Sequence, residues 1–131
     1  MQTQVDGTVQ AVVVGLDTQF SYQKLAVANL TIQTGKAKFF ACNDDAYDYI
    51  GGRKSPGAGA MVEAIYQSLN DAERPIVIGK PNTFAWDLIR RDHGVSNEAV
   101  MFGDRLDTDI LFGNRAGLAT CLVLTGVVRS T

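Results

Sequence analysis

The sequence predicts an α/β protein whose strands run mostly parallel. Three observations carry that expectation. Short β-branched runs alternate with stretches of helical apolar spacing, giving β-α-β-α-β-α-β-α-β. Turn residues such as Asp6-Gly7, Gly35, Gly94 and Gly117 punctuate the alternation. Two of the strands end in a glycine followed at once by a charged residue, Gly79-Lys80 and Gly103-Asp104. Open α/β sheets build their sites at such strand ends.

Val9 to Val14 is a β-branched run bounded by Gly7 and Gly15 and reads as a buried strand. Ser21 can cap a helix that carries Leu25, Ala28, Leu30 and Ile32 and stops at Gly35. Lys38 to Cys42 reads as the second strand. The polar stretch from Asn43 to Gly59 is too long for a simple connection and reads as a functional loop. Ser55-Pro56-Gly57 marks the start of a helix with Met61, Val62, Ile65 and Leu69 on one face. Pro75 to Ile78 is the third strand. Phe84, Leu88 and Ile89 share a face of the next helix, which ends near His93-Gly94. Ala99 to Phe102 is the fourth strand, and the helix after Asp107 stops at Gly117, where a left-handed cap residue belongs. Thr120 to Leu124 is the fifth strand.

The chain has 131 residues, enough for one domain of ordinary size or part of a larger protein. Hydrophobic residues make up 46% and charged residues 20%, a globular balance that excludes a disordered or fibrous chain. A net charge of −2 supplies no basic footprint, so neither a nucleic acid nor an anionic membrane is expected as a partner. Cys42 and Cys121 lie in apolar runs and read as small buried hydrophobes in a reducing compartment. No apolar run approaches the roughly 20 residues that span a bilayer, and Met1-Gln-Thr-Gln-Val-Asp6 has no signal-peptide pattern. A cytoplasmic location is the expectation.

Chemistry concentrates in Val100-Met-Phe-Gly-Asp-Arg-Leu-Asp-Thr-Asp-Ile110, where Asp104, Asp107 and Asp109 follow a strand. Carboxylates hold hard divalent cations, and Lys80 brings a positive charge with three donors. A lysine and a magnesium-binding aspartate suit phosphoryl transfer, which is mostly positioning and charge neutralisation. The alternative is a solvated turn lysine beside acids that merely favour a helix amino terminus. Asn43, Asp45 and Tyr47 can read a substrate, or can form an ordinary Asx-rich turn. Gly57-Ala58-Gly59 before a helix can cradle an anion, on weak evidence. His93 complements a helix dipole and takes no catalytic role, while Trp86 and Met61 occupy packing positions.

Several of these pieces, in this order, resemble the haloacid dehalogenase (HAD) superfamily of aspartate-nucleophile phosphatases. Within it they resemble the 4-nitrophenylphosphatase and phosphoglycolate/pyridoxal phosphate phosphatase group, which carries a large α/β cap. Val12-Val-Val-Gly-Leu-Asp17, Phe20 and Tyr22-Gln-Lys-Leu25 resemble the start of that cap. Ala41-Cys-Asn-Asp-Asp45 resembles its Thr-Asn-x-Asp segment with cysteine in place of threonine, and Ser55-Pro-Gly-Ala-Gly-Ala60 resembles its Pro-Gly-x-Gly helix start. Gly79-Lys-Pro81, Gly103-Asp-Arg-Leu-Asp-Thr-Asp109 and Thr125-Gly-Val127 are similar to the group's lysine motif, acidic motif and following loop.

The resemblance implies a HAD-like fold, with residues 1–79 as an α/β cap and residues 80–131 as the C-terminal part of a Rossmann-like parallel-sheet core. It implies a Mg2+-dependent phosphatase that hydrolyses small phosphorylated metabolites through an aspartyl-phosphate. Lys80 would hold nucleophile and phosphate, Asp104 would bind the metal, and Asp109 would support the metal or its waters. Asn43, Asp45 and Tyr47 in the cap would choose the substrate. A homodimer through the cap is a further implication. The group's Asp-x-Asp nucleophile motif precedes its cap, and this sequence shows no counterpart. Asp6-Gly7-Thr8 is similar to the end of such a motif, but Gln4 stands where the nucleophile belongs and cannot form an acyl phosphate. The expectation is a chain truncated at both ends and inactive alone. The other readings are an inactive binder of phosphorylated metabolites and a cap-mediated dimerisation module.

Overall fold

In a computed structural model, residues 7–69 and 74–127 are described; Gln4 and Asp6 lie outside them. The chain divides into two compact units, residues 1–77 and 78–131.

The first unit carries a parallel sheet of β1 (Ala11–Val14), β2 (Lys38–Ala41) and β5 (Ile76–Val77), in the order β1-β2-β5. Two helices accompany it, α1 (Tyr22–Gln33) and α2 (Ala58–Leu69). The core gathers Val14, Phe39, Ala41, Val62 and Ile65, with Leu25, Ala28, Ile32 and Met61 packed against it. Ser21 caps α1 as expected, accepting from the Lys24 N–H at 3.4 Å.

Several expectations need correction. β1 is an edge strand that buries one face only: Val14 is buried, whereas Val13 is 59% exposed. The third strand shrinks to two residues. Leu30 is exposed, and its neighbour Thr31 is buried instead, its hydroxyl donating to the Val27 carbonyl at 2.7 Å. Cys42 is exposed and Cys121 only half-buried, both as free thiols. The strand period explains Cys42: Ala41 faces the core, so its neighbour faces away. Within the long loop lies an antiparallel hairpin of β3 (Tyr47–Ile50) and β4 (Arg53–Pro56). It turns at Gly51-Gly52, whose φ angles of 58° and 77° suit glycine. Polar side chains on both strands hid it from a hydrophobic pattern.

The second unit contains α3 (Phe84–His93), β6 (Val100–Gly103), a π-helical turn (Leu106–Ile110), α4 (Leu111–Ala116) and β7 (Ala119–Leu122). β6 and β7 pair in parallel, Val100 to Ala119 through Gly103 to Leu122. Gly94 and Gly117 close α3 and α4 at φ 62° and 70°, the left-handed conformation predicted for Gly117. α4 lies close to the sheet at Gly113, where an added Cβ would sit 2.4 Å from Thr120 Cγ2. Trp86 and Phe112 are the large buried residues. The predicted stripe on α3 is corrected: Phe84 and Ile89 are 53% and 44% exposed, and Trp86 alone on that helix is buried. Val100 and Phe102 also face outward, at 52% and 65% exposed. The fold is α/β with parallel sheets, as the sequence predicts.

Candidate functional site

β6 ends at Gly103, and the chain turns immediately into Asp104 and Arg105. The π-helical turn follows because Asp109 and Ile110 both donate backbone N–H bonds to the Arg105 carbonyl, each at 3.1 Å. That geometry folds the Asp109 side chain back under the strand end. Its Oδ2 accepts the N–H groups of Asp104 at 3.0 Å and Arg105 at 3.1 Å. Its Oδ1 accepts Lys80 Nζ at 2.5 Å, across 29 positions of sequence. Asp109 is 4% exposed, while the Lys80 side chain is 48% exposed. One buried carboxylate thus holds the lysine with one oxygen and the backbone of the acidic turn with the other.

Glycine is required at Gly103 for space. A Cβ there would lie 2.1 Å from Asp109 Cβ and 2.4 Å from its Oδ2. The residue leading the acidic motif is small because Asp109 occupies the volume behind it.

The three acids have three different partners. Asp107 is paired with Arg105, at 3.3 Å from Nε and 3.2 Å from Nη2. The Arg105 guanidinium holds the Asp107 carboxyl below its ordinary range against the opposing effect of burial. Asp104 Oδ2 accepts the Val127 N–H at 2.7 Å. Among the described residues, no three His, Cys, Asp or Glu side chains converge on a point where a cation could sit. Magnesium nevertheless needs only one or two carboxylates when water and phosphate supply the rest. Asp104 fits that demand, with one oxygen held and the other available. Asp109 does not fit as a direct ligand, because both of its oxygens already accept donors.

Asn43, Asp45 and Tyr47 belong to the first unit. Asn43 Nδ2 donates to Asp45 Oδ2 at 2.8 Å. The Tyr47 ring meets Tyr49 edge-on at 5.6 Å and carries Lys54 Nζ 4.0 Å from its centroid. All three residues are half-buried. The anion-cradle reading of Gly57-Ala58-Gly59 is corrected. Gly57 N–H donates to the Ala46 carbonyl at 3.1 Å and Gly59 N–H to the Asp45 carbonyl at 2.9 Å. These glycines let the Asp44-Asp45 backbone lie directly on the start of α2. Polar turn residues revealed this loop in the sequence; nothing in a glycine pair distinguishes a backbone partner from an anion.

The bracket at Asp109 has a pH signature. Burial raises its carboxyl, but Lys80 and the Arg105 and Asp104 N–H groups outweigh that and leave it below its ordinary value. A depressed carboxyl stabilises the fold above its unfolded pKa of about 3.9, and that contribution is lost as pH falls through the folded value. Urea melts between pH 6 and 3 are expected to show the midpoint of the second unit falling below about pH 4, with the fall reduced in Asp109→Asn. Equal acid sensitivity in both proteins would refute the link.

Residues 77–131 match the HAD-hydrolase-like family model. A phosphoglycolate phosphatase of Arabidopsis thaliana is 46% identical over 129 residues, covering 96% of this chain and 42% of the plant protein. A double mutant of a thermostable NPPase from Geobacillus stearothermophilus superposes with a TM-score of 0.81 at 39% identity, over 91% of this chain and 47% of that one. A glycerol phosphate phosphatase from Mycobacterium tuberculosis, solved in complex with calcium, gives 0.81 at 37% identity, over 90% and 34%. The chain therefore spans less than half the length of each of these proteins. Its mixed α/β architecture is theirs. No helix among the described residues is long and apolar enough to cross a membrane.

Proposed function

We propose that these residues supply the lysine and metal-binding side of a Mg2+-dependent phosphatase acting on small phosphomonoesters. The observation that carries the reading is the Asp109 bracket, which ties Lys80 to the turn bearing Asp104. Lys80 Nζ has three donors and gives one to Asp109, so two remain for phosphoryl oxygens on an ammonium that reaches solvent. Asp104 offers its second carboxylate oxygen to the cation, and Asp109 keeps both groups in register. Bound Mg2+ would neutralise phosphoryl charge. On this reading residues 1–79 are the cap and residues 80–131 the C-terminal part of the core. Asn43, Asp45 and Tyr47 would contact the alcohol portion of the substrate.

The aspartyl-phosphate of this mechanism needs a nucleophile, and the acidic turn spares none for it, since Asp107 and Asp109 are committed to Arg105 and Lys80. The chain alone is expected to bind Mg2+ without hydrolysing p-nitrophenyl phosphate. Placed behind an upstream segment bearing Asp-x-Asp, it is expected to turn over that ester, with Lys80→Ala and Asp104→Asn each lowering kcat/KM at least 100-fold. Turnover by the chain alone, abolished in Asp104→Asn, would overturn the inactivity. Full activity of both variants in the longer chain would overturn the assignment of the two residues.

A further inference from the structure

A single half-buried carboxylate that binds a cation must be held in one orientation, and Asp104 is half-buried. The loop after β7 provides the means. We propose that Gly126 and Val127 are the positioning element for Asp104, fixing one of its oxygens so that the other faces the cation in a set direction. This rests on the metal-binding role proposed for Asp104.

Two observations converge. The Val127 N–H donates to Asp104 Oδ2 at 2.7 Å, the short distance of a hydrogen bond to an ionised carboxylate. At Gly126, an added Cβ would lie 1.9 Å from that same Oδ2, 2.5 Å from Cγ and 2.6 Å from Cβ of Asp104. The last distance matters most, because the Cβ of Asp104 moves only if its backbone moves. Gly126 is absent from the glycines with positive φ, so backbone conformation does not demand glycine here. Space does. The glycine brings the backbone close enough for the next N–H to grip the carboxylate. One gripped oxygen stops the carboxylate rotating and makes the other a pre-aimed monodentate ligand. Hydrogen bonds of this kind to metal-ligating groups are worth about 10–100-fold in metal affinity.

The test measures Mn2+ binding, as a paramagnetic stand-in for Mg2+, by electron paramagnetic resonance of the free ion. It compares the wild-type 131-residue chain with Asp104→Asn, Gly126→Ala and Val127→Pro, each checked for folding by circular dichroism. Gly126→Ala crowds the carboxylate from the Gly126 Cα, and Val127→Pro removes the gripping N–H and sets its ring Cδ where the hydrogen was, so each breaks the grip by a different route. Both are expected to weaken binding at least tenfold while folded. If the wild type binds no Mn2+, or Asp104→Asn binds as well as wild type, the metal reading fails and this inference falls with it. If Asp104→Asn loses binding while either folded variant keeps wild-type affinity, the positioning role alone is overturned. Should neither variant fold, the Val127 amide proton decides. It is expected downfield in the wild type, moving with added Mg2+ and moving upfield in Asp104→Asn; an amide insensitive to both overturns the proposal.

Discussion

Asp109→Asn is expected to lower the stability of the second unit by about 2–3 kcal/mol. The substitution keeps size and shape, so no cavity arises. What changes is donor matching. The carboxylate accepts three donors, from Lys80, Asp104 and Arg105. An asparagine can turn its oxygen toward the two backbone N–H groups, but its amide then presents hydrogens to the Lys80 ammonium. Breaking a fully buried ion pair costs about 3–5 kcal/mol; Lys80 is half-exposed and can regain water, which places the expectation below that range. Trp86 is the only tryptophan and lies in the second unit, so its fluorescence in a urea melt reports on this unit alone. A midpoint equal to wild type would show that Asp109 holds nothing together.

Gly59→Ala is expected to destabilise the first unit by about 2–4 kcal/mol. Two effects oppose each other. Alanine within a helix gains about 0.5–1 kcal/mol over glycine. Against that, the new Cβ would lie 2.3 Å from the Asp44 carbonyl oxygen, 2.8 Å from its carbon and 2.9 Å from the Asp45 oxygen. These are backbone atoms of a segment held at the Asp45 and Ala46 carbonyls by the Gly59 and Gly57 N–H groups, with no flexible side chain to yield. The clash wins, and relief requires the loop bearing Asn43 and Asp45 to lift from α2. All four tyrosines, Tyr22, Tyr47, Tyr49 and Tyr66, lie in the first unit, so near-ultraviolet tyrosine dichroism follows it. Gly7→Ala is the control, with nothing within 4 Å of its Cβ and an expected change under about 0.5 kcal/mol. Equal stability of the two variants would contradict the close approach.

Most of the element order is written in the residues alone, because apolar period and glycine punctuation are local; the polar β3–β4 hairpin is the exception. α1 behind Ser21, α2 after Ser55-Pro56-Gly57 and the stop of α4 at Gly117 follow from residues a few positions apart. The ordered motifs around Lys80 and Asp104 likewise pointed, without any geometry, to the family whose model matches residues 77–131. What each polar group holds is settled only once the chain is folded. Three aspartates in six positions look equivalent in the sequence, yet one grips Arg105, one is gripped by Val127 and one brackets Lys80. Hydrogen bonding is directional and links residues distant in sequence, whereas composition and spacing carry no direction. The same reason separates the glycines. A space-filling requirement at Gly59, Gly103 or Gly126 exists only once the Asp44 carbonyl, Asp109 or Asp104 has been brought against it.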